Sequence, residues 1–243
     1  MPSALIAQAE PYRIETDSLT QAAHKSVRRE WVPPVVMMTV GALALELNAL
    51  KDINRTVRHH VLASNPNTHN TLEDKMRHLP TASTFVLLPA LGIKSKHKLL
   101  DKAIIYSIAT TIGDQTAARL KTASKERRPD GSDLRSFPSG HTTTAFIAAE
   151  IMRKEYQDTS PWLVVIGYTA AATTGALRVY HNKHWLTDVI AGAGLGILST
   201  DLAYLIHTKA KTFQSRLKQG KKLTLLPAFQ SRALGIGLVY KPD

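Results

Sequence analysis

Three cationic side chains and one helix start in the middle of the chain are suited to holding a tetrahedral oxyanion. The cations are Lys121, Arg128 and Arg178. The two guanidiniums among them can bind phosphate oxygens through paired, charge-assisted hydrogen bonds. Ser139–His141 opens an apolar helical run, which places backbone N–H groups and the positive end of the helix dipole where an anion would bind. These residue types indicate a phosphate-binding site.

His184 and Asp188 add a group that can react with a bound phosphate. They are four residues apart at the start of another apolar segment, so the spacing predicts that they share one face of a helix. A carboxylate in that position can hold one imidazole nitrogen and leave the other to attack. Together with the cations, this pair predicts phosphoryl transfer.

The order and spacing of these stretches resemble the three motifs of the type 2 phosphatidic acid phosphatase (PAP2) superfamily, which also includes bacterial class A acid phosphatases and vanadium haloperoxidases. The third motif normally begins with Ser-Arg. Leu177 replaces that serine here, so one hydroxyl expected near the site is absent. The resemblance covers residues 75–205, and its motifs are Lys121-x6-Arg128-Pro129, Pro138-Ser139-Gly140-His141 and Arg178-x5-His184-x3-Asp188.

The resemblance implies a role for each motif residue. His184 would attack phosphorus and form a phosphohistidine, while Asp188 holds its ring. His141 would protonate the leaving oxygen and then activate water for the second step. Because fixed cations supply the positive charge, we expect an enzyme that needs no metal ion and no cofactor. The groups implied to bind the phosphate oxygens are Lys121, Arg128, Ser139, Gly140 and Arg178.

The composition agrees with a phosphorylated substrate. The chain has 243 residues and a formal net charge of +12, which favours nucleic acid, an anionic membrane surface or phosphorylated compounds as partners. Aromatic residues make up only 6% and do not alternate with the basic ones, so we expect no nucleic-acid partner. There are no cysteines, which excludes disulfides and thiolate chemistry.

Hydropathy leaves two environments open for the helices. Only the uncharged run Thr159–Leu177 approaches the roughly 20 apolar residues that a membrane-spanning helix needs. The mean hydropathy of −0.12 is low for a protein with many membrane spans. The shorter apolar runs are therefore either membrane-embedded helices or buried helices of a soluble bundle. Those runs are Pro33–Leu45, Leu79–Ile93, Ala103–Gly113 and Val189–Thr200.

The pattern predicts an all-α fold, a PAP2-like bundle of about six helices, with a short β-hairpin at the C-terminus. Residues 1–30 are predicted to be an irregular segment whose first nine residues resemble a truncated signal peptide. Residues 31–208 form the predicted phosphatase domain, and 209–243 a basic tail with the hairpin. The predicted helices are 33–50, 72–91, 98–121, 139–156, 160–178 and 184–208.

Two local features of the sequence bear on the packing. His59 and His60 are adjacent, and no carboxylate cluster accompanies them at ligand spacing, so we expect a solvated turn rather than a metal site. The glycines of Gly192–Gly196 predict close contact between the last helix and its neighbours.

Three functions are compatible with these observations. The sequence favours a bacterial envelope phosphatase acting on a lipid such as phosphatidate, an isoprenyl diphosphate or lipid A, with its active site on the periplasmic side of the membrane. A soluble periplasmic acid phosphatase of broad specificity is the alternative. A vanadate-dependent haloperoxidase is disfavoured, because such enzymes are usually longer. The sequence predicts neither the individual substrate nor the oligomeric state.

Overall fold

The structure is a computed structural model, which describes residues 16–64, 76–218, 222–230 and 233–241. The signal-like residues 1–9 lie outside these ranges. The α3 helix contains one π-helical turn, Ser83–Leu87. The helices of the described residues are α1 Thr16–Leu43, α2 Asn48–Ser64, α3 Leu79–Ala90, α4 Leu99–Ser124, α5 Gly140–Tyr156, α6 Pro161–Tyr180 and α7 Leu186–Lys218.

Helices α5 and α7 form the centre of the bundle. Helix α5 packs on α4, α6 and α7, and α7 also packs on α1 and α4. A Cβ at Gly192 would lie 2.6 Å from the carbonyl oxygen of Ser139, and one at Gly196 would lie 2.6 Å from that of Thr143. These distances are shorter than van der Waals contact, so only glycine permits this approach of α7 to α5. The close contact predicted from the glycine pattern is confirmed.

The N-terminal helix differs from the prediction. Helix α1 begins at Thr16 rather than Pro33, so Pro33 and Pro34 lie inside it. Each proline removes one hydrogen bond of the helix, which is why the sequence predicted a start there. Close packing of α1 on α7 stabilises the continuous helix despite these lost hydrogen bonds. A Cβ at Gly194 of α7 would lie only 2.6 Å from the carbonyl oxygen of Pro34.

Helix α2 was wrongly predicted as a turn around His59 and His60. The chain bends by 90° between α1 and Asn48, and then forms a 17-residue helix. Leu50, Ile53, Val57 and Val61 recur at the spacing of one helical face, but the many polar and charged residues between them obscured that signal. Hydrogen bonds to the start of α7 and to the turn before it, described below, also stabilise the helix.

Two strands follow the helices. Lys222–Gln230 (β1) and Ala233–Lys241 (β2) pair antiparallel, with Lys222 opposite Lys241 and Gln230 opposite Ala233.

Two helices of the described part of the chain are long and apolar enough to cross a membrane. They are Pro161–Tyr180 and Leu186–Ser215, and the bent pair Glu30–Leu43 and Asn48–Ala63 would add a third if it formed one span. Helix α6 also exposes large apolar side chains, of which Trp162 is 75% accessible and Ile166 59%. Such a surface suits an apolar surrounding better than water.

Candidate active site

The three motifs meet at one end of the bundle. Lys121 lies in the last turn of α4 and Arg178 in the last turn of α6, while Ser139 caps the N-terminus of α5. Asp188 lies in the first turn of α7. Successive helices run in opposite directions, so the C-terminal ends of α4 and α6 adjoin the N-terminal ends of α5 and α7. The topology therefore brings together residues that are up to 67 positions apart in the sequence.

His184 does not share a helix with Asp188, contrary to the prediction, because α7 begins two residues later, at Leu186. The side chains still meet, with Nδ1 of His184 3.7 Å from Oδ2 of Asp188. The same oxygen accepts a hydrogen bond of 2.9 Å from the backbone N–H of Trp185. Asp188 therefore caps the start of α7 in the manner of an acidic residue in a capping box, and the turn before the helix holds the histidine.

Burial determines the protonation state of His184. Its side chain is 2% exposed, and this desolvation lowers the pKa to about 4, although the Asp188 carboxylate acts in the opposite direction. The cationic Lys121 and Arg178 also lower this pKa. The imidazole is therefore neutral at pH 7, as a nitrogen nucleophile must be. Because Asp188 lies on the Nδ1 side, Nε2 is the nitrogen that remains to react.

Ser136 joins this pair and was not identified from the sequence. Its hydroxyl donates to Oδ2 of Asp188 at 2.5 Å and lies 3.5 Å from Nδ1 of His184. The side chain of Ser136 is fully buried, and the backbone N–H of this residue donates a hydrogen bond to the carbonyl oxygen of Glu126. A serine in a turn-rich loop carries no distinctive signal, so only its position two residues before the second motif hinted at a role.

Ser139 and Gly140 lie at the N-terminus of α5, where the sequence predicts an anion to bind. The Ser139 hydroxyl accepts a hydrogen bond of 2.9 Å from Oγ1 of Thr142, and its own backbone N–H donates to the carbonyl oxygen of Asp188 at 3.0 Å. A side chain at Gly140 would meet no atom within 4 Å, so open space adjoins the helix terminus there. His141 follows in the first turn, partly exposed. An anion in this space would face both the backbone N–H groups and the positive helix end.

Lys121 and Arg128 are held by different parts of the loop between α4 and α5. The ammonium of Lys121 donates to the carbonyl oxygens of Arg135 at 2.8 Å and Pro138 at 2.6 Å, which ties the second motif to α4. Burial, with the nearby charge of Arg128, lowers the pKa of Lys121 to about 8. Nε of Arg128 donates to Oδ1 of Asp133 at 2.8 Å. This contact orients the guanidinium.

Arg178 is the most buried of the three cations, with 8% of its surface exposed. Its carbonyl oxygen accepts backbone hydrogen bonds from Lys183 at 3.0 Å and from His184 at 3.2 Å. The guanidinium and the imidazole of the third motif therefore belong to one hydrogen-bonded turn. Leu177, which stands where the motif normally has serine, instead lines an apolar groove with Val61 and Leu186.

One face of α2 supports the third motif, and sequence reasoning missed it. Nδ2 of Asn54 donates to Oγ1 of Thr187 at 2.7 Å, and Oδ1 of Asn54 accepts from the backbone N–H of Thr187 at 3.2 Å. Nε of Arg58 donates to Oδ1 of Asn182 at 3.1 Å. Asn54, Arg58 and Val61 have the spacing of one helical face. That spacing was the available signal, but it has meaning only once the segment is known to be helical.

We predict that Asn54→Ala slows turnover roughly tenfold while changing KM little, because the loss of a buried hydrogen-bonding group costs about 1–3 kcal/mol. Both hydrogen bonds to Thr187 disappear, and the start of α7 then holds Asp188 less firmly. Steady-state kinetics and thermal unfolding in detergent would measure the effect. Asn48→Ala, at an exposed position of the same helix, is the control and should match the wild type. Equal kinetics in both variants would contradict the positioning role.

No group of three or more His, Asp or Glu side chains in the part of the chain that the structure describes is arranged to hold a metal ion. The expectation of metal-independent catalysis remains a prediction.

A helical bundle with two histidines, a carboxylate and cations at one end defines the protein as a candidate phosphoryl-transfer enzyme. Residues 35–212 match the PAP2 superfamily, and the chain belongs to that superfamily. The resemblance noted from the motifs is confirmed.

Individual relatives match smaller parts of the chain or match it more distantly. The sequence is 51% identical over 79 residues to the lipid A 1-phosphatase of Porphyromonas gingivalis, a match that covers 32% of this chain and only 18% of that relative. A PAP2-type phosphatidylglycerolphosphate phosphatase from Bacillus subtilis is 22% identical, with a TM-score of 0.47 over 77% of this chain and 98% of that one. Aquifex aeolicus LpxE is 24% identical, with a TM-score of 0.44 over 60% and 93%.

Proposed function

We propose that the protein is a phosphatase that hydrolyses a phosphomonoester or diphosphate of a membrane lipid through a phosphohistidine intermediate. The observation that carries this proposal is the convergence of a buried, neutral imidazole with an anion-binding helix start. His184 is backed by Asp188 and Ser136, and the open space beside Gly140 would hold the phosphoryl group. Membership of the PAP2 superfamily supports the same reaction class.

In the first half-reaction, Nε2 of His184 attacks phosphorus as the bond to the leaving oxygen breaks. The Asp188 carboxylate stabilises the imidazolium that forms, and the hydrogen bond from Ser136 keeps this carboxylate in place. His141 donates a proton to the leaving oxygen. The product is a phosphohistidine and the dephosphorylated alcohol, or the monophosphate where the substrate is a diphosphate.

In the second half-reaction, His141 accepts a proton from water, whose oxygen attacks phosphorus while the P–N bond breaks. Inorganic phosphate leaves, and His184 returns to its neutral form. In both steps the negative charge on the equatorial oxygens is stabilised by Arg128, Arg178 and the backbone N–H of Gly140. Lys121 and Ser139 act in this proposal mainly by fixing the shape of that oxyanion pocket, since both are engaged by the protein.

A lipid substrate is supported by an apolar groove beside the third motif. The groove has a volume of about 440 Å³ and is lined by Val61 of α2, Leu177 of α6 and Leu186, among others. The groove adjoins the third motif in the sequence, since Leu177 precedes Arg178 and Leu186 follows His184 by two residues, and we propose that it binds an acyl chain of the substrate. Leu177, which replaces the motif serine, then forms part of the apolar wall of the groove.

The apolar helices and the lipid A 1-phosphatase relative support a position in a membrane. That this membrane belongs to a bacterial envelope, with the site on its periplasmic side, is part of the proposal. The lipid class that we propose is phosphatidate, an isoprenyl diphosphate or the phosphates of lipid A.

We expect the purified protein to release phosphate from long-chain lipid phosphates faster than from soluble monoesters. Release should persist in EDTA and be inhibited by vanadate, because the positive charge at the site comes from side chains. After a high-salt wash, activity should stay with the membrane fraction. His184→Ala serves as the inactive control in a phosphate-release screen.

Three outcomes of this screen would contradict the proposal in different ways. Activity in a soluble periplasmic extract, with no preference for lipids, would indicate a broad-specificity acid phosphatase. Oxidation of bromide by added hydrogen peroxide in the presence of vanadate would indicate a haloperoxidase. Loss of activity in chelator that magnesium restores would contradict metal independence alone.

A further inference from the structure

We propose that Arg58 and Arg127 form a second anion-binding subsite, which takes another anionic group on the headgroup of the same substrate. This inference rests on the proposed phosphatase function and narrows its substrate class to headgroups that carry two anionic groups. One of them would be hydrolysed at His184, and the other would bind in the second subsite.

The subsite is a cleft of about 430 Å³ that opens beside the phosphate-binding residues. Its walls include Arg58 from α2, Arg127 and Arg128 from the loop before α5, and Trp185. Arg128 belongs to the first motif, so the cleft is continuous with the phosphate-binding side of the active site. Arg58 and Arg127 have no place in the motifs or in the proposed reaction.

The carboxylates around the cleft are largely neutralised by other partners. Asp130 pairs with Lys183 at 2.8 Å, and Asp133 pairs with Arg128 at 2.8 Å. Glu126 is the remaining acid, and burial raises its pKa. Neither Arg58 nor Arg127 takes part in an ion pair within the described ranges of the chain. Arg58 and Arg127 outnumber Glu126, so the cleft keeps a net positive charge that an anion can meet.

Contacts within the protein give Arg58 a fixed position. Its Nε is bound by Asn182, and its guanidinium carbon lies 5.9 Å above the centre of the Trp185 ring. The indole N–H of Trp185 donates to the carbonyl oxygen of Arg127 at 2.9 Å, which links the two arginine residues. Because Trp185 directly follows His184, the subsite is held at a fixed place relative to the nucleophile.

A substrate that reaches both places would gain charge-assisted hydrogen bonds from Arg58, whose guanidinium is already held in position, and from Arg127. A headgroup with a single phosphate would make no hydrogen bonds in the second subsite. The geometry thus predicts discrimination between headgroups with one and with two anionic groups, which the motifs alone do not provide.

The test compares affinities for alkane bisphosphonates of increasing chain length with those for the matching monophosphonates. Titration calorimetry in detergent measures binding without turnover, so the result does not depend on the reaction being as proposed. We expect a bisphosphonate of suitable length to bind wild type roughly 10- to 100-fold more tightly than its monophosphonate. Arg127→Gln and Arg58→Gln should each remove most of this gain. Arg55→Gln, an exposed arginine on the same helix paired with Asp52, should retain it.

Arg127 is exposed, so we expect Arg127→Gln to fold. This variant keeps the test valid even if loss of the contact with Asn182 impairs the folding of Arg58→Gln. The proposed subsite would be contradicted if the bisphosphonate gained as much affinity in every variant as in wild type. It would also be contradicted if Arg55→Gln lost as much of this affinity gain as the other two variants, which would indicate only a general effect of charge. Two monophosphonates bound per protein, with no gain from tethering, would show that the cleft takes a separate anion, which also contradicts the proposal. Absence of phosphate release from every substrate would instead contradict the proposed function.

Discussion

His184→Ala is expected to abolish both turnover and labelling of the protein by substrate phosphate. Removing a nucleophile leaves only the contribution of substrate binding and oxyanion stabilisation, so the loss should be at least about 10,000-fold. No neighbouring group can replace the imidazole, since Ser136 and Asp188 lie on its Nδ1 side. Release of labelled phosphate and retention of label on the denatured protein measure the two effects. His59→Ala, an exposed histidine of α2, is the control and should behave as wild type.

His141→Ala separates the two half-reactions and completes this test. With p-nitrophenyl phosphate, the leaving group needs no proton, so the first step should still occur, whereas the second step lacks its general base. We expect a burst of about one nitrophenol per site, followed by accumulation of a phosphoenzyme that is labile in acid and stable in base. The label should map to His184. A label on His141 or Ser139 would show that the nucleophile has been assigned to the wrong residue.

Arg178→Lys should lower turnover roughly 100- to 1000-fold, the usual effect of losing one preorganised oxyanion donor. Lysine keeps the charge but loses the planar fork that binds two phosphate oxygens at once. The position is buried, so a lysine there would also be held away from the solvent that normally stabilises its ammonium. Steady-state kinetics with a lipid substrate and with p-nitrophenyl phosphate would measure the loss.

The control for this substitution is Arg119→Lys, at an exposed position of α4. It makes the same chemical change away from the site and should leave turnover unchanged. Thermal unfolding of both variants shows how much of the loss comes from stability, because a lysine ammonium buried at position 178 lowers the free energy of unfolding. Wild-type rates in Arg178→Lys would remove this arginine from the proposed oxyanion site.

The sequence by itself determined the family and the helices that carry its motifs. Ser139 at the start of α5 and Pro161 at the start of α6 are local signals, and both helices begin within one residue of their predicted start. The motif residues were recognisable because their types suit the binding of a phosphate group, and that is a property of the side chains themselves. The family assignment followed from the same residues.

Only the tertiary structure decided which other residues support the site. Asn54 and Thr187 are 133 positions apart, and Ser136 and Asp188 are 52 apart, so no local pattern links them. Helix α2 was missed because polar residues obscured its apolar spacing, and because the partners of its Asn54 and Arg58 side chains lie more than 120 positions away in the sequence. A hydrogen bond between distant segments depends on where the bundle places both partners, and a linear sequence contains that information only through the fold.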